Sequence, residues 1–114
     1  MPLEIETRPL DSGQLDALSA VLRDMPEARH SLEAAIGQPE SRLWVGIFNA
    51  RPVSLALVID GHLALLVVHP ATRGRGVGAD TLRLAGQQQS FTCPAGLARL
   101  AAKAGLKVQE EPAE

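Results

Sequence analysis

The residues best suited to chemistry lie between 67 and 80, VVHPATRGRGVGAD. An apolar run stops at Pro70, and Gly74, Gly76 and Gly78 then alternate with Arg75 and Val77. Behind a strand and ahead of a helix, such a stretch presents several free backbone N–H groups at a helix N-terminus. Those donors and the helix dipole bind anions, and glycine lets a phosphate approach the backbone closely. Arg73 and Arg75 add charge and forked donors that match phosphate oxygens. Glycines this dense also suit a turn with unusual dihedrals. Three of them, with two arginines and a helix start, favour the anion site. A Walker loop ends in Gly-Lys-Ser/Thr, whereas Gly78 is followed by Ala79-Asp80. A dinucleotide fingerprint turns directly out of the first strand of a βαβ unit; here residues 69–73 intervene, behind strands that read as hairpins.

Other reactive side chains are sparse. Cys93 is the lone cysteine, which excludes an internal disulfide and a multi-cysteine metal site, and no metal centre is expected. Beside Pro94 it reads first as a small buried hydrophobe. His62 reads as a solvated strand end, His69 as a loop histidine and His30 as a surface residue at a helix start. Trp44 lies on a strand, in the core or facing a partner, and Asn49 suits a hairpin turn.

The elements that must position the loop follow from periodicity. Residues 3–8, LEIETR, alternate as a strand. Asp11 or Ser12 caps a helix carrying Leu15, Leu18, Val21, Leu22 and Met25, with Pro26 just past its end. A second helix starts near Ser31, turns Leu32, Ala35 and Ile36 inward, and ends at Gly37. Strands follow over 42–48, 53–59 and 62–69, the last two joined by the hairpin signal Asp60-Gly61. After the glycines, Val77, Thr81, Leu82, Leu84 and Ala85 form one face of a helix that fades near Gly86. Residues 90–93 read as a short strand, and Pro94 opens a helix whose stripe of Leu97, Leu100, Ala101 and Ala104 ends at Gly105. A last strand is expected over 106–108. The order β-α-α-β-β-β-α-β-α-(β) indicates an α+β, mixed α/β domain.

Composition bounds the partners. The 114 residues suit one domain, expected over 1–109 with a frayed acidic tail at 110–114. The core must be aliphatic, since aromatics are 3% and tyrosine is absent. A net charge of −2 with no Lys/Arg run argues against nucleic acid or an anionic membrane as partner. No stretch has the length or apolarity of a membrane span, and the start lacks a signal-peptide pattern, so a cytoplasmic protein is expected.

The stretch from Val68 to Gly78 resembles the acetyl-CoA loop of the GNAT acetyltransferase superfamily, Arg/Gln-x-x-Gly-x-Gly/Ala. Arg73, Gly76 and Gly78 occupy its fixed positions, and the resemblance extends over about residues 42–108. It implies a GNAT-like fold: a central, mostly antiparallel sheet flanked by helices, with the C-terminal hairpin shortened. It also implies that acetyl-CoA is held by its pyrophosphate on the amides of Arg73, Gly74, Arg75, Gly76, Val77 and Gly78. Pantetheine then pairs like an extra strand beside Leu66, Val67 and Val68. The family's usual catalytic tyrosine aligns with Ala101, so the thiolate's proton donor is open, with Ser90, Thr92 and Cys93 as substitutes. His69 and His62 are the histidines beside the thioester-facing strand, and His69 and Cys93 are the catalytic candidates. The short C-terminus leaves the acceptor side open or completed by another chain, a homodimer included.

Two functions follow from the resemblance. One is an N-acetyltransferase acting on a small amine or a protein. The other is a non-catalytic acetyl-CoA sensor, because Phe48-Asn49 resembles the partner-contacting stretch of GNAT-fold maturation factors that bind the aspartate 1-decarboxylase proenzyme. The position of that stretch's arginine is Ile47 here.

Overall fold

The computed structural model describes residues 3–106. Its strands are β1 (Glu4–Arg8), β2 (Ser41–Phe48), β3 (Arg51–Ile59) and β4 (His62–Val68), and its α-helices are α1 (Ser12–Ala17), α2 (Pro26–Ala35), α3 (Val77–Gln88) and α4 (Ala98–Ala104). The strands form one antiparallel sheet in the order β1-β2-β3-β4; tight hairpins join β2 to β3 and β3 to β4, while α1 and α2 lie between β1 and β2. At the β3–β4 hairpin Asp60 and Gly61 both have positive φ, 51° and 77°, the turn that matches strand twist.

The sheet separates two aliphatic cores. On one face Leu43, Val45, Leu55, Leu57 and Val67 meet Leu15 and Leu18 with Leu32 and Ala35 of α2. On the other, Trp44, Ala56, Val58 and Leu63 meet Leu82 and Ala85 of α3, Phe91, Cys93, and Ala101 and Ala104 of α4. Covered on both sides, β3 is buried without interruption from Val53 to Val58, which is why its apolar run hardly alternates. A buried hydrogen bond fixes α3 to the sheet. Thr81 Oγ1 donates to Val77 C=O at 2.7 Å, so its single proton is committed and the Ser54 hydroxyl donates to it at 2.6 Å. Opposite Ser54, a Cβ at position 46 would overlap its hydroxyl, and residue 46 is glycine.

Several boundaries differ from the periodicity. The first helix closes at Ala17, and Leu18–Met25 continue as successive turns, Val21 N–H onto Leu18 C=O at 3.0 Å and Met25 N–H onto Leu22 C=O at 3.0 Å. Those turns bury Leu18, Val21 and Leu22 as a helix would, because i,i+3 spacing serves both. Pro26 does not merely follow a helix; it opens α2, five residues before Ser31. Ile36, expected inward, is 40% exposed, since the backbone there is already extended. Helix α3 passes Gly86 and closes at Gln89, whose side chain accepts from Trp44 Nε1 at 2.9 Å. Residues 90–93 form no strand of their own; Thr92 makes one parallel bridge to His62. Pro94 precedes a 3-10 turn, Ala95–Leu97, before α4 begins. Leu106 lies outside regular structure, and the remainder of the expected last strand falls outside the described residues. None of the described helices is long and apolar enough to cross a membrane.

Candidate anion and acyl-carrier site

Backbone pairing makes β4 a half-open edge. His69 N–H donates to Val53 C=O at 2.7 Å, and antiparallel alternation then turns the backbones of Val67 and Leu65 toward β3 and those of Leu66 and Val68 away from it. At its start β4 is bridged by Leu63 N–H to Thr92 C=O at 2.8 Å and Thr92 N–H to Gly61 C=O at 3.0 Å. Between these regions Ala64 is an unpaired bulge, and beyond it no further strand borders β4 among the described residues. A bulge bends and twists its strand, so the edge departs from residue 92 and opens a slot beside Leu66 and Val68. Of the three residues expected on that edge, Leu66 and Val68 present it; Val67 faces β3 and is buried in the core.

The chain then folds over the end of this slot. Pro70–Thr72 form a 3-10 turn capped by His69, whose Nδ1 accepts from Ala71 N–H at 3.0 Å and whose carbonyl accepts from Thr72 Oγ1 at 3.1 Å. Arg73 donates from Nε to Val68 C=O at 3.0 Å, and from its two terminal nitrogens to Asp24 at 2.7 and 2.9 Å. The Arg73 guanidinium beside Asp24 holds its carboxyl below the ordinary carboxylate range, and Asp24 raises the Arg73 pKa in return.

Gly76 is the N-cap of α3, at φ 77°, a conformation costly for other L-residues, and nothing lies within 4 Å of where its Cβ would stand. No side chain caps this helix. Asp80 N–H, onto Gly76 C=O at 3.1 Å, is the first its own backbone closes, leaving the N–H groups of Val77, Gly78 and Ala79 to other acceptors. A cavity of about 340 Å³ faces them, between Leu66 and Val68 on one side and Leu100 and Lys103 of α4 on the other, with Arg73, Gly74, Gly76 and Gly78 in its wall. Amides, a lysine and a strand edge in continuity fit an extended ligand with a phosphate group at one end and amides along its length.

The other candidates fall differently. Arg75 lines a separate cavity of about 220 Å³ with Leu3, Phe48, Val53 and Asp80, so the two loop arginines do not converge. Phe48 stands 37% exposed beside this cavity, and Asn49 and Ala50 turn the β2–β3 hairpin at φ 52° and 63°. With Nδ1 engaged as an acceptor, neutral His69 carries its proton on Nε2 and is a donor there. Burial pushes the Cys93 thiol up, and its side chain packs in the α3–α4 core, as expected of a small hydrophobe. His62 is exposed, with Nδ1 2.7 Å from Thr92 Oγ1 at the bridged end of the slot. His30 lies on the surface of α2, and Ser90 is exposed. Ala101 is fully buried. Asp24, Thr72, Leu100 and Lys103 had no place in the sequence reading of the site; the only hint was Lys103 standing three residues after Leu100 on the last helix.

No family model matches this chain, and neither does any curated protein. Solved structures do. An aminoglycoside acetyltransferase from an uncultured soil metagenomic sample superposes at TM-score 0.66 and 13% identity, covering 98% of this chain and 93% of its own. A ribosomal-protein-alanine N-acetyltransferase from Brucella melitensis gives 0.61 and 10%, over 100% and 97%. A GNAT family acetyltransferase from Staphylococcus aureus gives 0.58 and 11%, over 98% and 89%. The fold is that of these acetyltransferases: a four-stranded antiparallel sheet between helices.

Proposed function

We propose that this chain is a cytoplasmic acetyl-CoA-binding protein that transfers the acetyl group to an amine. The observation that carries the reading is the open edge of β4 running directly into the uncapped N-terminus of α3. The outward backbone groups of Leu66 and the outward N–H of Val68 suit the amide-bearing arm of CoA, added as a further strand. The amides of Val77, Gly78 and Ala79 suit its pyrophosphate, with Lys103 on the opposite wall. Acetyl-CoA supplies an activated thioester, and an N–H on the same edge polarises such a carbonyl as an oxyanion hole does. Transfer requires that the amine lose a proton and the departing thiolate gain one. His69 can donate from Nε2 but has no free lone pair for the base, and the buried, protonated Cys93 is no nucleophile. Aminoglycosides and the alanine of a ribosomal protein, the acceptors named for two of the neighbours, are the first amines to try.

A second reading is favoured by the chain's lack of tyrosine, by the fully buried Ala101 at the position where the family's tyrosine is expected, and by Phe48 exposed beside its own cavity. Under it the protein binds acetyl-CoA without consuming it and promotes self-cleavage of the aspartate 1-decarboxylase proenzyme through Phe48 and Asn49. Calorimetric titration with acetyl-CoA and with free CoA tests both. Binding of neither discards both readings. Binding with turnover of any amine establishes the transferase. Preference for the acetylated form, without turnover and with faster proenzyme cleavage, establishes the sensor.

A further inference from the structure

We propose that Asp24, on the turns between α1 and α2, is a positioning residue for the anion loop. The proposal rests on the acetyl-CoA reading and adds a residue 49 positions away from the arginine it serves. Asp24 grips both terminal nitrogens of Arg73, at 2.7 and 2.9 Å, which fixes the plane of the guanidinium. Fixed in that plane, Nε lies 3.0 Å from Val68 C=O. That carbonyl is one of the groups turned outward from β4, so Arg73 occupies it and leaves the Val68 N–H as the outward donor nearest the loop. One side chain thereby joins the end of β4, the start of the glycine loop and the turns before α2. Asp24 sets that junction from outside the site.

The alternative role predicts the opposite sign. If Asp24 only masked the charge of Arg73, freeing the arginine would strengthen anion binding. If Asp24 positions it, freeing it loosens the loop and weakens binding. Both side chains are nearly half exposed, 43% for Arg73 and 46% for Asp24, so the pair contributes little to global stability, and its removal is read at the site.

The test uses the whole chain with Asp24→Asn, Asp24→Glu and Arg73→Lys, the last lacking both the fork and Nε. Two properties are measured: the Arg73 Nε–H resonance with the loop amides in the free protein, and the acetyl-CoA dissociation constant. The expected result is a protected Nε–H in the wild type that Asp24→Asn abolishes, with shifts at Gly74 and Gly76. A roughly two- to fivefold rise in dissociation constant should accompany it, at an unchanged thermal midpoint. Asp24→Glu should recover most of the affinity, and Arg73→Lys should not. An Asp24→Asn protein that keeps the resonance and loop amides in place, or binds acetyl-CoA as tightly as wild type or tighter, overturns the proposal. A wild type that binds no acetyl-CoA refutes the acetyl-CoA reading instead. Positioning is then decided on the free protein: loss of the Nε–H signal with loop shifts upholds it, and an unchanged spectrum overturns it.

Discussion

Gly76 carries two requirements at one position. Its φ of 77° is strained for any residue with a Cβ, and in the proposed acetyl-CoA complex the open space beside it is the approach of a phosphate to the first amides of α3. Gly76→Val should therefore abolish acetyl-CoA binding by calorimetry, and the left-handed backbone should cost about 1–2 kcal/mol of stability in a denaturant titration. Retained affinity would move the anion away from this loop. The Arg73–Asp24 pair gives a pH prediction. Asp24 has a folded pKa below its unfolded value, so the pair's contribution is complete above the unfolded pKa, about 4, and is lost as pH falls through the folded one. The Arg73 Nε–H signal of the free protein should persist from neutrality to about pH 4 and fade below it; fading between pH 5 and 7 would contradict the depressed carboxyl. The glycine spacing was legible in the sequence, because Gly74 and Gly76 answer a local need for positive φ, whereas Gly78 lies close against Leu66, Val68 and Leu100. Asp24 was not, because nothing in its own neighbourhood marks it.

At the scale of elements, the slot depends on how β4 and α3 are held. Ser54, Thr81 and Gly46 form the joint between sheet and helix, and their contact is close enough to exclude a methyl group at position 46. Gly46→Ala should lower stability by about 1–3 kcal/mol through overpacking. In a Ser54→Ala background the same substitution should cost clearly less, because the overlapping hydroxyl is gone while Thr81 keeps its bond to Val77. Denaturant midpoints for the four proteins form a double-mutant cycle, and strict additivity would refute the contact. The three-strand meander and its hairpin turn were readable from alternation and from Asp60-Gly61. The Ala64 bulge that parts β4 from residue 92 was not, since an extra residue in an apolar run leaves no mark until a partner strand sets the register.

For the whole molecule, two aliphatic cores are built on opposite faces of one sheet, and the glycine loop lies at the end of that sheet. A ligand spanning β4, the loop and α4 joins elements of the second core, so binding should protect the fold. At a hundredfold excess over its dissociation constant, acetyl-CoA should add about 2.7 kcal/mol. That corresponds to a rise on the order of 10 °C in thermal midpoint for a chain of this size. Scanning calorimetry with and without ligand checks it; an unmoved midpoint would mean that acetyl-CoA does not bind the folded state.

By itself, the sequence determined what depends on near neighbours: the four strands of the sheet, though not the short strand expected over 90–93, the hairpin turn at Asp60-Gly61, the apolar face of α3 and the glycine loop at its start. Backbone dihedrals and side-chain periodicity act over a few residues, so their signals survive without a fold. Tertiary structure alone decided that Leu18–Met25 is a run of turns, that Arg75 and Arg73 line separate cavities, and that Asp24 and Lys103 border the loop. The turns bond over three or four residues while Leu18, Val21 and Leu22 enter the first core, and the other placements rest on contacts between segments distant in the chain, set only when the two cores close on the sheet.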